Sequence, residues 1–248
     1  MCRHLAYVGP DVPLSDLLLD PAHSLLEQAW APTDMRGGGT VNVDGFGAGW
    51  YAGDGAPRCY RAAVPMWTDE AFRQLAAGTS GGAVLAAVRS ATVGMPVSAG
   101  ACAPFADERW LFSHNGKVPG WPDSLAGTAA ELDVVDLMTL AAPTDSAVLW
   151  ALLRHRIGKG QEPVEAVTGL VGDVLRASPE SRLNLLLTDG HRIIATTCTH
   201  SLWVRHADDA VAVASEPFGP ERDWQPVPDR HLLVADPARL DLTPLQES

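Results

Sequence analysis

The chain has 248 residues, 46% of them apolar and 19% charged, and 18 Lys and Arg against 30 Asp and Glu leave a formal net charge of −12. A chain of this size buries roughly 70–75% of its unfolded surface and needs no disulfide or metal staple, while the acidic excess argues against a nucleic-acid or anionic-membrane partner, both of which are met by clustered Lys and Arg. No apolar run reaches the ~18–20 residues of a membrane span, and charges at Arg3 and His4 followed by Gly9-Pro10 break any signal-peptide pattern, so a soluble, cytoplasmic protein is expected.

Residues 2–8 (CRHLAYV) read as a strand that starts at the second residue and stops at Gly9-Pro10. Leu14–Leu19 and Ser24–Trp30 read as short helices. The glycine-rich stretch Met35–Val43 then leads through Asp44-Gly45 into the strand GFGAGWYA, which RCYRAAV (58–64) can join across the GDGAP turn. Thr68 is the expected cap of a helix running to Ala77, with Asp69 and Glu70 in its first turn. Strands follow at 83–91 and 110–116, and helices at 131–142, 145–157 and 163–177. The 145–157 helix places Val148, Leu149, Leu152, Leu153 and Ile157 on one face, and Trp150 on it is expected in the core. The last third returns to strands: LNLLLTD, HRIIATT, SLWVRH, AVAVAS and HLLVA. Strands, then helices, then strands, without βαβ alternation, predict antiparallel sheets covered by helices. With no repeat or linker in sight, the expectation is one domain over 1–248.

Four cysteines stand at 2, 59, 102 and 198 without a CxxC pair, so reduced thiols are expected. Cys59, Cys102 and Cys198 suit buried apolar positions. Cys2 differs from them. Removal of Met1 ahead of a small side chain would leave its thiol and its α-amino group on one carbon. That amine has a reference pKa of about 7.7–8.0 against about 8.5 for a thiol, so nucleophile and base would come in one residue; an inert cysteine near a chain end is the competing reading.

Attack on an amide also needs donors for the developing oxyanion. His114-Asn115-Gly116 ends a strand-like run and could supply the Asn115 amide and the Gly116 N–H, although Asn-Gly is also a common turn. Arg89, in RSATVG, has the planar fork that suits a carboxylate. Asp145, in Thr144-Asp145-Ser146, could pair with a substrate ammonium, and either it or Thr144 could simply cap the next helix. His4 is expected to be structural or at the surface. No His, Cys or Asp cluster has ligand spacing, so neither metal nor cofactor is expected.

In this order, an N-terminal Cys, R-x-A-T-x-G, H-N-G and (S/T)-D-(S/T), the set resembles the class II glutamine amidotransferases, which are N-terminal-nucleophile hydrolases. The resemblance implies an α+β fold, a four-layer αββα sandwich of two antiparallel sheets. It implies Cys2 as nucleophile and, through its amine, base; Asn115 and Gly116 as the oxyanion hole; Arg89 as binder of the α-carboxylate and Asp145 of the α-ammonium; and Thr92 and His114 on the substrate side. Larger members carry His where Val93 stands and append a synthase or isomerase domain for which this chain has no residues. MCRHLAYVG, GTVNVDGFGAGWY, RAAVPMW, AVLAAVRSATVGMPV, ACAPF, WLFSHNGKVPGW and ASEPF resemble the free-standing branch that acts in ergothioneine biosynthesis. There the expected reaction is hydrolysis of the γ-glutamyl amide that joins glutamate to hercynylcysteine S-oxide. The implied partner is this small molecule alone, with no obligate synthase subunit; a free-standing glutaminase or ammonia-supplying subunit is the alternative. A trimethylammonium on the leaving group would suit an aromatic face, for which the loop residues Trp67 and Trp121 are candidates.

Overall fold

The computed structural model describes residues 2–34, 36, 41–53 and 55–245. Most of the glycine-rich stretch 35–43, and Met1, fall outside the described residues. In chain order the elements are β1 (Arg3–Pro13), α1 (Leu14–Leu18), α2 (Leu25–Gln28), β2 (Phe46–Tyr51), β3 (Pro57–Ala62), α3 (Glu70–Gly78), β4 (Ser80–Val88), β5 (Phe105–Ala106) and β6 (Leu111–Lys117). They continue as α4 (Ala126–Ala129), α5 (Val134–Met138), α6 (Asp145–Gly158), α7 (Pro163–Ala177), β7 (Arg182–Thr188), β8 (Ile193–Thr196), β9 (Trp203–His206), β10 (Val211–Ala214), β11 (Gln225–Pro226), β12 (His231–Asp236) and β13 (Arg239–Pro244).

The strands form two antiparallel sheets, ordered β11-β9-β10-β1-β4-β2-β3 and β13-β12-β8-β7-β6-β5. Alternation along β1 shows how they stack. Leu5 and Tyr7 pack with Leu14, Leu17, Leu18, Leu25 and Phe72 of α1–α3, whereas Ala6 and Val8 meet Leu111, Leu186 and Ile193 of the second sheet. On β6 and β7, Phe112, Leu185 and Leu187 face the other way, onto Val148, Leu149 and Leu152 of α6 and Leu170 and Val174 of α7. A period of two lets each strand serve two cores, and the result is helices, sheet, sheet, helices. Small residues bring the sheets close: a Cβ on Gly49 would sit 2.8 Å from the Leu111 side chain across the interface.

Expectation and structure differ at a few places. The predicted helix 131–142 is only α5, because Val134, Val135, Leu137 and Met138 are exposed and bring no packing to lengthen it. Asp69, not Thr68, caps α3, its carboxylate accepting from Phe72 N at 2.9 Å. Cys59 is exposed, since β3 is the sheet's edge strand and turns it outward. β1 runs on through Gly9-Pro10 to Pro13, with a register shift between Val8 and Val12. β13 carries almost no buried side chain, and that left it without an alternating signature. Trp150 is buried and stacked on Phe112 with ring centroids 5.7 Å apart.

Candidate active site

One cavity opens where β1 begins and β4 and β6 end, and it is lined by Cys2, Arg89, Thr92, His114, Gly116 and Asp145 together with Ser90, Met95, Thr144 and Ser146. Four segments far apart in the chain, from Cys2 to Ser146, meet there because antiparallel pairing sets Arg3 against Val88 and the facing sheet carries β6. A larger groove, about 1000 Å³ between α7 and the β12–β13 edge, shares no residue with it and is lined by no Cys, His or Ser among the described residues.

Cys2 precedes the β1 ladder, and its Sγ lies 3.7 Å from the Ser90 carbonyl oxygen. The Arg89–Thr92 turn behind it is built by Asp44 and Gly45. Asp44 N donates to Arg89 O at 3.0 Å, Arg89 N donates to Gly45 O at 2.7 Å, and the Asp44 carboxylate accepts from Ala91 N at 2.7 Å. Arg89 Nη1 donates to Pro96 O at 2.9 Å, which fixes the guanidinium; among the described residues it has no carboxylate partner. Val93 on the same turn points wholly into solvent.

Asp145 begins α6, whose cap is Thr144, with Oγ1 accepting from Ala147 N at 3.2 Å. The Asp145 carboxylate is buried and accepts from Val118 N at 2.9 Å and Ser146 N at 2.8 Å. No Lys or Arg pairs with it among the described residues. Burying a carboxylate away from water costs several kcal/mol unless donors or a cation compensate. Two N–H groups and the positive end of α6 supply part of that, and the cavity side remains for a cation.

His114 turns toward α6, with Nδ1 2.9 Å from Ser146 Oγ and Nε2 2.9 Å from Arg182 O. A carbonyl can only accept, so Nε2 carries a proton and donates it to Arg182 O. Asn115, one step on, points between the sheets instead of joining the cavity lining. It is buried, with Nδ2 3.4 Å from Ser215 Oγ, and Ser215 in turn binds the His4 main chain through Oγ (3.0 Å) and through its own N–H (2.9 Å). Gly116 has room for nothing larger, because a Cβ there would run into the Arg182 carbonyl oxygen.

Three groups that sequence reasoning left without a role surround the nucleophile. Arg3 and Glu216, each 1% exposed, form an ion pair at 2.7 Å. Burial pushes the Glu216 carboxyl up, but hydrogen bonds from His23 and Thr33 and the Arg3 charge hold it down at about 2. The Asp44 carboxylate is the third. A charged residue inside an apolar strand, as in MCRHLAYV and AVAVASEPF, is the signal that could have found the pair, since buried charges must be matched. His4 is structural, as expected: it lies between the sheets with Nδ1 3.1 Å from Ser113 Oγ, and burial with His114, His200 and Arg3 nearby lowers it to about 3. His200 is likewise lowered to about 3, by burial first and then Arg182 and Arg3. Trp67 packs on the α1–α3 core and Trp121 on the α6–α7 core; neither lines the cavity, because their loops fold back onto the helices.

Residues 26–208 match the family of class-II glutamine amidotransferases. The chain is 41% identical over 245 residues to the gamma-glutamyl-hercynylcysteine sulfoxide hydrolase of Mycolicibacterium smegmatis, spanning 99% of this chain and all of that protein. It is 39% identical over 250 residues to the protein of the same name from Mycobacterium tuberculosis, spanning 100% and 98%. Among solved structures, a glutamine aminotransferase class-II domain protein from Silicibacter pomeroyi superposes with a TM-score of 0.71 at 24% identity, covering 99% of this chain and 100% of that one. The glutamine phosphoribosylpyrophosphate amidotransferase of B. subtilis superposes with a TM-score of 0.67 at 13% identity, covering this whole chain and 50% of that one. These two likenesses establish the shared sandwich fold.

Proposed function

The chain belongs to the class II glutamine amidotransferases, and from that premise we propose that it is a free-standing amidohydrolase that cleaves γ-glutamyl-hercynylcysteine S-oxide to glutamate and hercynylcysteine S-oxide. One observation carries the reading. Cys2 shares a cavity with a guanidinium and a buried carboxylate, Arg89 and Asp145, that have no carboxylate and no cation partner among the described residues, and these are the two charges a glutamyl α-carboxylate and α-ammonium complete. Full-length identity near 40% to hydrolases of that name adds the leaving group.

In this mechanism Met1 is removed and the Cys2 α-amine takes the thiol proton. The thiolate adds to the γ-carbonyl carbon, and the oxyanion is met by the Gly116 N–H and the Asn115 amide. Asn115 reaches it by turning its Nδ2 from Ser215, a bond that at 3.4 Å is long and readily exchanged. The C–N bond breaks as the ammonium returns its proton to the leaving nitrogen. Water then adds to the thioester, the amine again acting as base, and glutamate leaves with the thiol restored. Arg89 and Asp145 hold the glutamyl end at a fixed distance from Sγ, with Thr92 and His114 shaping the wall between them. The whole sandwich works as one catalytic domain on a small molecule, in the cytoplasm and without a synthase subunit, a nucleic-acid partner or a membrane. No described helix is long and apolar enough to cross one.

The deciding experiment measures glutamate release from γ-glutamyl-hercynylcysteine S-oxide and from glutamine at equal enzyme. A kcat/KM at least a hundredfold higher for the first is expected. Equal values, or a preference for glutamine with ammonia released, would replace this reading by a glutaminase.

A further inference from the structure

Glu216 lies two residues beyond β10 and Arg3 opens β1, yet their side chains form a closed knot directly behind the nucleophile. Arg3 Nε donates to Glu216 Oε1 at 2.7 Å, Nη1 donates to the carbonyl oxygen of Cys2 at 3.0 Å, and Nη2 donates to the carbonyl oxygen of Asp34. Glu216 is saturated from the other side: Oε2 accepts from His23 Nε2 at 2.6 Å, Thr33 N at 2.9 Å and Thr33 Oγ1 at 2.8 Å, and Oε1 accepts from Asp34 N at 3.1 Å. Gln28 Nε2 closes the circle by donating to His23 O at 2.9 Å and Glu216 O at 3.3 Å.

Two physical arguments give this knot a role in the reaction. A buried ion pair gains little over a well-packed apolar pair, so its presence is weak evidence of a stability device; here the arms of the guanidinium are spent on main-chain oxygens, one of them the nucleophile's own. The second concerns the chain end. The β1 ladder begins at Arg3 paired with Val88, so Cys2 lies outside it, and a terminal residue without ties frays. With Met1 gone, the amine and thiol must both be free for chemistry. The Cys2 carbonyl is then the handle by which the residue can be held, and Arg3 holds it.

We propose that Arg3 and Glu216 are positioning residues: they lock the main chain of Cys2 and the 33–34 turn in one fixed relation, so that amine and thiol meet the γ-carbonyl in register. The inference rests on Cys2 being the nucleophile and is independent of which γ-glutamyl leaving group is used.

The test compares Glu216→Gln, Arg3→Lys and Thr33→Val with the wild type, on γ-glutamyl-hercynylcysteine S-oxide and on glutamine, with thermal melting in parallel. Arg3→Lys keeps the charge opposite Glu216 but cannot also reach the Cys2 carbonyl. Its kcat is expected to fall at least tenfold, with KM changed less than threefold, as is that of Glu216→Gln. Thr33→Val removes one donor and leaves the pair, so it should lower kcat about threefold in the same direction. Should Glu216→Gln fail to fold, the other two decide. The inactivation rate of Cys2 by an electrophilic glutamine analogue should fall in proportion to kcat, and that readout needs no turnover. A folded Arg3→Lys or Thr33→Val with wild-type kcat and inactivation rate would overturn the proposal and leave the knot a purely structural feature. Wild-type inactivity on the S-oxide with activity on glutamine would instead remove the assigned substrate and leave the comparison of variants intact.

Discussion

Two pairs of opposite charges lie within a few residues of the same thiol, and the chain treats them in opposite ways. Behind Cys2, Arg3 and Glu216 are in contact at 2.7 Å, and both terminal nitrogens of the guanidinium and both carboxylate oxygens are also bonded to neighbouring segments. In front of it, Arg89 and Asp145 line one cavity but do not pair with each other or with any other charge among the described residues. A charge pair closed on itself fixes the chain around it; a pair held apart waits for a ligand that is itself a zwitterion. The same physics, desolvation against Coulomb attraction, decides both, and the difference lies in whether the fold lets the partners touch.

The largest effect should come from the atom between the two regions. Cys2→Ala is expected to abolish glutamate release while the melting temperature stays within a few degrees of wild type, and intact mass of the active protein should show Met1 absent. Breaking the rear pair should cost stability as well as rate: Glu216→Ala leaves the Arg3 charge buried without its partner, and denaturant unfolding should show a loss of about 3–5 kcal/mol. The front pair should fail as binding. Arg89→Ala and Asp145→Asn should each lose about 2–5 kcal/mol of transition-state stabilisation in kcat/KM, with stability nearly unchanged in Arg89→Ala and lowered by about 1–2 kcal/mol in Asp145→Asn, whose amide can accept from only one of the Val118 and Ser146 N–H groups. If Asp145→Asn unfolded the protein as readily as Glu216→Ala does, the contrast between the two regions would be lost.

The pH dependence is a finer probe. His4 and His200 are held at about 3 in the folded chain against about 6.5 when unfolded, so below pH 6.5 the unfolded state binds the more protons and stability falls as pH is lowered toward 3. Each histidine should contribute on the order of 1–2 kcal/mol of loss by pH 5. Glu216, depressed to about 2, contributes stability that is whole above its unfolded value near 4.5 and is lost as pH falls through 2, so it adds only at the acid end. Urea midpoints at pH 7, 6 and 5 should therefore fall steadily in the wild type and more shallowly in a folded His200→Gln variant. Arg89→Ala, which leaves both histidines in place, should run parallel to the wild type.

Much of this was legible in the sequence. Alternating apolar runs marked most of the strands, because a strand that serves two cores writes its period of two into the chain, as in Leu5 and Tyr7 against Ala6 and Val8. Ordered motifs marked Cys2, Arg89, Gly116 and Asp145, because a reaction needs particular functional groups whatever surrounds them, and the structure draws those four to one cavity. What the sequence could not contain was partnership across the fold. Arg3 and Glu216 are 213 positions apart, and only the order β9-β10-β1-β4 brings the end of β10 beside the start of β1. The direction of Asn115, into the space between the sheets while His114 turns to the helices, is a matter of strand phase that tertiary packing settles. The same holds for α5, where the apolar letters of VVDLM promised a longer helix and the absence of a packing surface confined it to five residues. Composition and motif determine which groups a chain owns; burial, register and the pairing of distant charges arise only when the sheets close, because desolvation is a property of neighbours and not of residues.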